Sequence, residues 1–317
     1  MAQGKDIKII CGNSNRPFSE DVCRNIGLRL GITEVSTFSD GEIAVSLNET
    51  VRGSDVFIIQ STCTPINDHL MEMLIMVDAC KRASASRVTC VMPYFGYARQ
   101  DRKAKARDPI SAKLVANLIT SAGTDRVLTM DLHAAQIQGF FDIPVDNLVG
   151  SPLFVDYYNK KFNGDSNTII VSPDIGSVAR ARAFALKMGL GLAIIDKRRE
   201  KANQAEVMNI IGSVKGKRVI LYDDMVDTGG SLCHAAKALL EEGGAEELYA
   251  CATHGVLSGE AIELIEQSEI KEVVFSDTIP FHREKPCAKI KYLTAAPLFA
   301  EAINRIFEEV SISTLFR

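Results

Sequence analysis

Asp223 and Asp224 stand side by side at the end of an apolar run, and Asp227-Thr228-Gly229-Gly230-Ser231 follows at once and leads into a helical stretch. Glycines let backbone N–H groups turn toward one point, and Thr228 and Ser231 add hydroxyl donors. The N-terminus of the helix that follows favours an anion, so a phosphate fits there. Carboxylates only accept hydrogen bonds, which suits the twin acids to a sugar diol. A plain acidic turn capped by Asp227 is the bland alternative.

Other segments carry further chemistry. Asp131 and His133, two apart at what reads as a strand end, should point the same way and reach a divalent metal or a metal-bound phosphate oxygen together. A histidine by itself is more often a satisfied core residue. Phe38-Ser39-Asp40-Gly41-Glu42 sets an aromatic ring beside two acids, and reads equally as a hairpin turn. In Tyr97-Ala98-Arg99-Gln100-Asp101-Arg102-Lys103 the fork of Arg99 suits bidentate phosphate contact, although residues 99–107 also read as a solvated charge run. Asp196-Lys197-Arg198-Arg199-Glu200-Lys201 looks like a strand end opening into a polar surface loop.

The elements that must hold these residues follow from hydrophobic patterning. Short β-branched runs at 7–11, 55–61, 87–94, 126–133, 168–174, 192–197, 218–224, 247–254 and 272–278 alternate with helical-period stretches such as 68–82, 110–122, 178–188, 231–242 and 259–267. That alternation predicts α/β architecture with mainly parallel sheets flanked by helices, in which ligands bind at the C-terminal strand ends. Val51-Arg52-Gly53 followed by the run at 56–60 is echoed 163 residues on by Val214-Lys215-Gly216 and the run at 219–223, as an internal duplication would produce. The expected domains are 1–150 and 151–317, joined near Gly150-Ser151-Pro152, with the last helix packing on the first.

Composition narrows the field of functions. A net charge of −4 gives no basic excess for nucleic-acid binding. No apolar run approaches the ~20 residues of a membrane span, and the first eight residues are polar rather than signal-like. The expectation is a cytoplasmic protein with neither nucleic acid nor membrane as partner. Its eight cysteines are scattered, without zinc spacing, and read as buried thiols.

Residues 219–231 closely resemble the phosphoribosyl-binding loop shared by phosphoribosyltransferases and ribose-phosphate diphosphokinases. Asp131-Leu132-His133 with the following residues 134–148 resembles the diphosphokinase family specifically, and the likeness spans essentially the whole chain. It implies two similar domains of the type I phosphoribosyltransferase-like kind, an ATP- and metal-binding one and then a ribose 5-phosphate-binding one. Transfer of diphosphate from Mg²⁺-ATP to C1 of ribose 5-phosphate is the implied reaction. On this resemblance Asp174, Asp223, Asp224, Asp227, Thr228, Gly229, Gly230 and Ser231 bind ribose 5-phosphate. Phe38, Asp40, Glu42, Arg99, Gln100, Asp101 and His133 bind ATP, and Asp131, His133, Asp142, Asp146 and Asp174 lie at metal. Lys197, Arg199 and His133 are catalytic, the first two on a loop that closes over the diphosphate. Thr50, Arg52, Ser84, Ser311 and Ser313 match an allosteric anion site between subunits of a homo-hexamer, with inorganic phosphate and ADP as effectors. One departure is small: Gly176-Ser177 stands where many members carry Gly-Gly. The rival readings are a phosphoribosyltransferase, which leaves 38–42 and 131–148 without a job, and a non-catalytic regulatory paralogue, which would be expected to lose Lys197, Arg199, Asp223 and Asp224.

Overall fold

Runs of β-branched and aliphatic residues too short for helices become the buried strands of two mainly parallel sheets. A computed structural model of the chain describes residues 6–198, 207–281 and 286–316. It forms two compact units, one comprising Met1–Val149, Asp277–Pro280 and Thr294–Arg317, the other Gly150–Ser276 and Phe281–Leu293.

In the first unit β1 (Ile7–Cys11), α1 (Arg16–Ile26), the hairpin of β2 (Thr33–Thr37) and β3 (Ile43–Leu47), β4 (Asp55–Ile59), α2 (Ile66–Arg82), β5 (Arg87–Met92), α3 (Ser111–Ser121), β6 (Arg126–Met130) and β7 (Val145–Leu148) follow in order. The sheet runs β1-β4-β5-β6-β7, every neighbour parallel. Leu70, Met73, Val77 and Cys80 recur at helical spacing along α2 and pack with Val56, Ile58, Val88 and Cys90 in one core. Phe57 and Val91, alternating with them along the strands, are buried as well.

The second unit contains α4 (Ser151–Phe162), β8 (Thr168–Ser172), α5 (Val178–Met188), β9 (Gly191–Arg198), β10 (Val207–Ile211), β11 (Arg218–Val226), α6 (Gly230–Glu241), β12 (Glu247–Gly255), α7 (Ala261–Gln267), β13 (Glu272–Ser276) and β14 (Ile290–Leu293). Its sheet order is β10-β9-β8-β11-β12-β13-β14, with only β10 and β9 antiparallel. Phe154 and Phe184, from α4 and α5, pack on Tyr222, while Leu232, Ala235 and Leu239 of α6 lie with Val219 and Leu221 in a separate core.

The internal repeat extends to individual hydrogen bonds. Gly53 N–H donates to Ser84 O at 2.9 Å, and Gly216 N–H donates to Gly244 O at 2.8 Å. Both donors have positive φ (72° and 69°), as do both acceptor residues (64° and 68°). Ser86 N–H to Ser54 O is likewise matched by Glu246 N–H to Lys217 O.

The final helix α8 (Ala296–Phe307) lies against α1, where Phe299 meets Phe18 edge-on with ring centroids 5.5 Å apart. Residues 277–280 are stitched into the same unit. Asp277 Oδ1 accepts from Ala295 N–H at 2.7 Å, Asn15 Nδ2 donates to Asp277 O at 2.9 Å, and Ser61 Oγ donates to Thr278 O at 2.6 Å. Burial pushes the Asp277 carboxyl above its ordinary range.

The α/β class and the mainly parallel sheets agree with the expectation. β7, β10 and β14 had not been anticipated, and β2 and β3 only through the hairpin turn read at 38–42. The hairpin strands and β14 are half-exposed, and β7, β10 and β14 are all edge strands, outside the buried centres of the sheets. No helix among the described residues is long and apolar enough to cross a membrane.

Candidate active site

The expected strand at 218–224 does not stop at the twin acids. It pairs with β12 through Val226, but its pairing with β8 ends at Leu221↔Val171. Asp223 and Asp224 thus lie where one neighbour has run out, opening that side to a ligand. Asp223 Oδ1 accepts from Ser177 Oγ at 2.7 Å and from Asp224 N–H at 2.8 Å. Burial first, and the charge of Asp224 second, push the Asp223 carboxyl well above its ordinary value of 3.8. Arg180, in the first turn of α5, holds Asp224 Oδ1 at 2.7 Å.

The loop beyond the acids has the form of an anion cradle. Gly229 has φ 76°, and a Cβ there would lie 3.3 Å from the Ala261 backbone, so this position needs glycine. No side chain caps α6, whose first-turn N–H groups are turned toward the loop, and Thr228 and Ser231 are exposed. Asp227 O accepts from Ser258 N–H at 2.9 Å, which fixes the base of the loop.

Asp174 closes the turn after β8. Its Oδ1 accepts from Ser177 N–H at 2.8 Å, and its carbonyl accepts from Ser172 Oγ at 2.7 Å. Ser177 has φ −87°, so a side chain is accommodated here without strain where Gly-Gly was the family expectation. Lys197 is the penultimate residue of β9, paired with Met208 of β10. Arg199 lies outside the described residues.

In the first unit, β6 stops at Met130 and Asp131 takes φ 41°, breaking the strand alternation. The expectation that Asp131 and His133 point the same way as strand neighbours is therefore corrected: Asp131 is buried and His133 exposed. Asp131 N–H still pairs with Leu148 O at 2.9 Å, anchoring the turn to β7. Asp101 accepts from Gln136 Nε2, and this bond joins the 97–103 loop to the short 3-10 helix at Ala135–Phe140. Gln100 Oε1 accepts from Ser111 Oγ at 2.8 Å, and Arg99 is exposed. Phe38, Asp40 and Glu42 form the tip of the β2–β3 hairpin, closed by Phe38 N–H to Glu42 O at 2.7 Å. The hairpin reading is thus correct for the backbone, and it leaves the Phe38 ring 60% exposed.

Asp142 is exposed. Asp146 is not brought to Asp131. It sits in register with Leu128 and accepts from Arg126 Nη1 at 2.5 Å, two residues short of the strand end. Among the described residues no three His, Cys, Asp or Glu side chains gather as a metal cage. Mg²⁺ needs none where one or two protein ligands supplement phosphate oxygens and water, so Asp131 with His133 remains a fitting donor set.

The five residues matched to an anion site fall into two groups. Ser84 O holds Gly53 N–H, next to Arg52, whose own N–H donates to Thr50 Oγ1 at 3.4 Å. Ser311 Oγ and Ser313 Oγ are 2.8 Å apart and line a cavity of about 820 Å³ with Arg87, Arg126, Arg305 and Asp146.

Arg180 and the Ser177 hydroxyl were not identified from sequence. The signal available was their place just after a strand-end loop, at the start of α5.

Twin acids beside an uncapped, glycine-opened helix at the end of a parallel strand define an α/β protein equipped to hold a phosphorylated sugar. A family model described as the N-terminal domain of ribose phosphate pyrophosphokinase matches residues 7–123, and one described as phosphoribosyl synthetase-associated domain matches 199–317. A ribose-phosphate pyrophosphokinase of Caldanaerobacter subterraneus subsp. tengcongensis is 62% identical over 310 residues, 98% of each chain. One of Clostridium tetani is 58% identical over 313 residues, again 98% of each chain. The crystal structure of phosphoribosylpyrophosphate synthetase from Mycobacterium smegmatis matches with a TM-score of 0.91 at 40% identity, covering 96% of this chain and 100% of that one. The chain belongs to the ribose-phosphate pyrophosphokinase family, as the resemblance read from its sequence implied.

Proposed function

We propose that this chain transfers the β,γ-diphosphate of ATP to the C1 hydroxyl of ribose 5-phosphate, giving 5-phosphoribosyl 1-diphosphate and AMP. The observation that carries this reading is the strand-end pair Asp223 and Asp224 followed directly by the uncapped start of α6.

The 5-phosphate rests on Asp227 to Ser231, taking backbone N–H groups and the exposed hydroxyls of Thr228 and Ser231. Asp223 and Asp224 accept from the ribose hydroxyls, with Asp174 beside them. In the first unit the Phe38 ring stacks on adenine and Asp40 and Glu42 accept from its donors, while Arg99, Gln100, Asp101 and His133 hold the triphosphate. The C1 oxygen attacks the β-phosphorus in line and loses its proton. The bond from that phosphorus to the bridging oxygen breaks, and its electron pair leaves with AMP. Positioning and charge neutralisation dominate such a transfer, and Lys197, Arg199 and Arg99 offset the negative charge that develops. Mg²⁺ would supply further charge neutralisation when bound; Asp131 and His133 would hold metal in the first unit, and Asp174 would do so in the second. Asp142 and Asp146, which the family resemblance also associates with metal, would complete that set, Asp146 while also accepting from Arg126.

The same reading makes the chain a cytoplasmic homo-hexamer with Thr50, Arg52, Ser84, Ser311 and Ser313 at an anion site that answers to inorganic phosphate and ADP. The facing hydroxyls of Ser311 and Ser313 support it. Sedimentation and steady-state rates with and without phosphate and ADP test this part.

The reaction itself is tested by incubating the purified protein with ATP, ribose 5-phosphate and MgCl₂ and measuring AMP. Absence of AMP, or nucleotide synthesis from 5-phosphoribosyl 1-diphosphate and a free nucleobase, overturns the proposal.

A further inference from the structure

Ser177 touches both loops that frame the sugar-phosphate cradle. Its backbone N–H holds Asp174 Oδ1 at 2.8 Å, and its hydroxyl holds Asp223 Oδ1 at 2.7 Å. Only 8% of the residue is exposed. The φ of −87° means that the side chain is compatible with the backbone, so the serine adds a hydroxyl to the loop at no conformational expense.

The consequence lies in which carboxylate oxygen is left over. Asp223 Oδ1 already accepts from Ser177 Oγ and Asp224 N–H, and Arg180 Nη1 stands 3.6 Å from it. Its Oδ2 is the oxygen that these donors leave over, beside the Asp224 carboxyl, on a side chain that is 25% exposed. A carboxylate pinned through one oxygen by two donors cannot rotate to exchange its oxygens without breaking both bonds. The other oxygen therefore keeps a fixed direction.

We infer that Ser177 is a positioning residue for the pentose, its hydroxyl locking Asp223 so that Oδ2 is presented to a ribose hydroxyl, and its N–H locking Asp174 in the neighbouring loop. This rests on the reading that the cradle binds ribose 5-phosphate, and it goes beyond that reading in assigning Ser177 a part in pentose recognition and none in ATP recognition.

The test is a comparison of steady-state constants for wild type, Ser177→Ala and Ser177→Thr, each at saturating levels of the other substrate, with melting temperatures measured in parallel. Loss of one hydrogen bond to a charged group raises the KM for ribose 5-phosphate about 10-fold in Ser177→Ala. The KM for ATP stays at its wild-type value, the melting temperature falls by no more than a few degrees, and Ser177→Thr, which keeps a hydroxyl, restores the wild-type constant. Unchanged KM for ribose 5-phosphate, an equal rise in both KM values, or a defect that threonine does not relieve overturns the inference. Wild-type protein that forms no AMP defeats instead the functional reading beneath it.

Discussion

Arg180 Nη1 donates to Asp224 Oδ1 at 2.7 Å, so a helix that starts after one strand neutralises an acid on the next. The Asp224 side chain is 4% exposed. Removing the arginine takes a charged partner from a buried acid beside Asp223. Arg180→Ala is expected to destabilise the protein by about 3 kcal/mol, read from denaturant unfolding, and Arg180→Lys by less because it keeps the charge. A loss within about 0.5 kcal/mol, the level of an ordinary surface substitution, would contradict the assignment.

The carboxyl of Asp223 is held above its ordinary value by burial and then by Asp224. The folded chain therefore keeps this proton at pH values where the unfolded chain has released it. The resulting stability is fully present below the ordinary value of 3.8 and is lost as pH rises through the elevated folded value. Asp223→Asn abolishes that term. Between about pH 5 and pH 8 the melting temperature of wild type should fall more steeply than that of the asparagine variant, and parallel curves would be the contrary result.

At Gly229 two physical demands coincide: a left-handed φ of 76° and a Cβ position 3.3 Å from Ala261 Cα. Alanine there costs about 1–2 kcal/mol in backbone strain before any shift of the loop. Gly229→Ala is expected to raise the KM for ribose 5-phosphate by roughly 10-fold or more, while Gly230→Ala, whose Cβ meets nothing within 4 Å, has a smaller effect. Equal KM values for the two variants would argue against a phosphate seated on this turn.

Chelation should separate activity from stability. No cage of three His, Cys, Asp or Glu ligands gathers among the described residues. Excess EDTA is expected to abolish AMP formation and to move the melting temperature by less than about 1 °C, since little binding energy is linked to folding. A large thermal shift would mean that a structural metal is present.

The buried strands were legible because runs such as Val56 to Ile59 and Val219 to Tyr222 are apolar on both faces. The phosphate cradle was legible for a different reason: the positive φ of Gly229 and the open start of α6 are local properties that glycine and spacing announce. What sequence could not supply was adjacency. β8 and β11 are neighbours only in the sheet, so the bonds from Arg180 and Ser177 to the twin acids have no local signature. The left-handed turn at Asp131 was missed because a non-glycine residue rarely adopts it. The place of Asp146, matched by resemblance to a metal-associated acid, is likewise a matter of sheet register, which sets it opposite Leu128 and within reach of Arg126.

Phe18 and Phe299 bear on how the chain is made. The first unit to leave the ribosome holds α1, yet the helix that covers α1 is α8, translated after the whole of the second unit. A nascent first unit must wait with that apolar surface bare while its successor is synthesised and collapses. During translation it is accordingly the surface most exposed to chaperones and to misassembly.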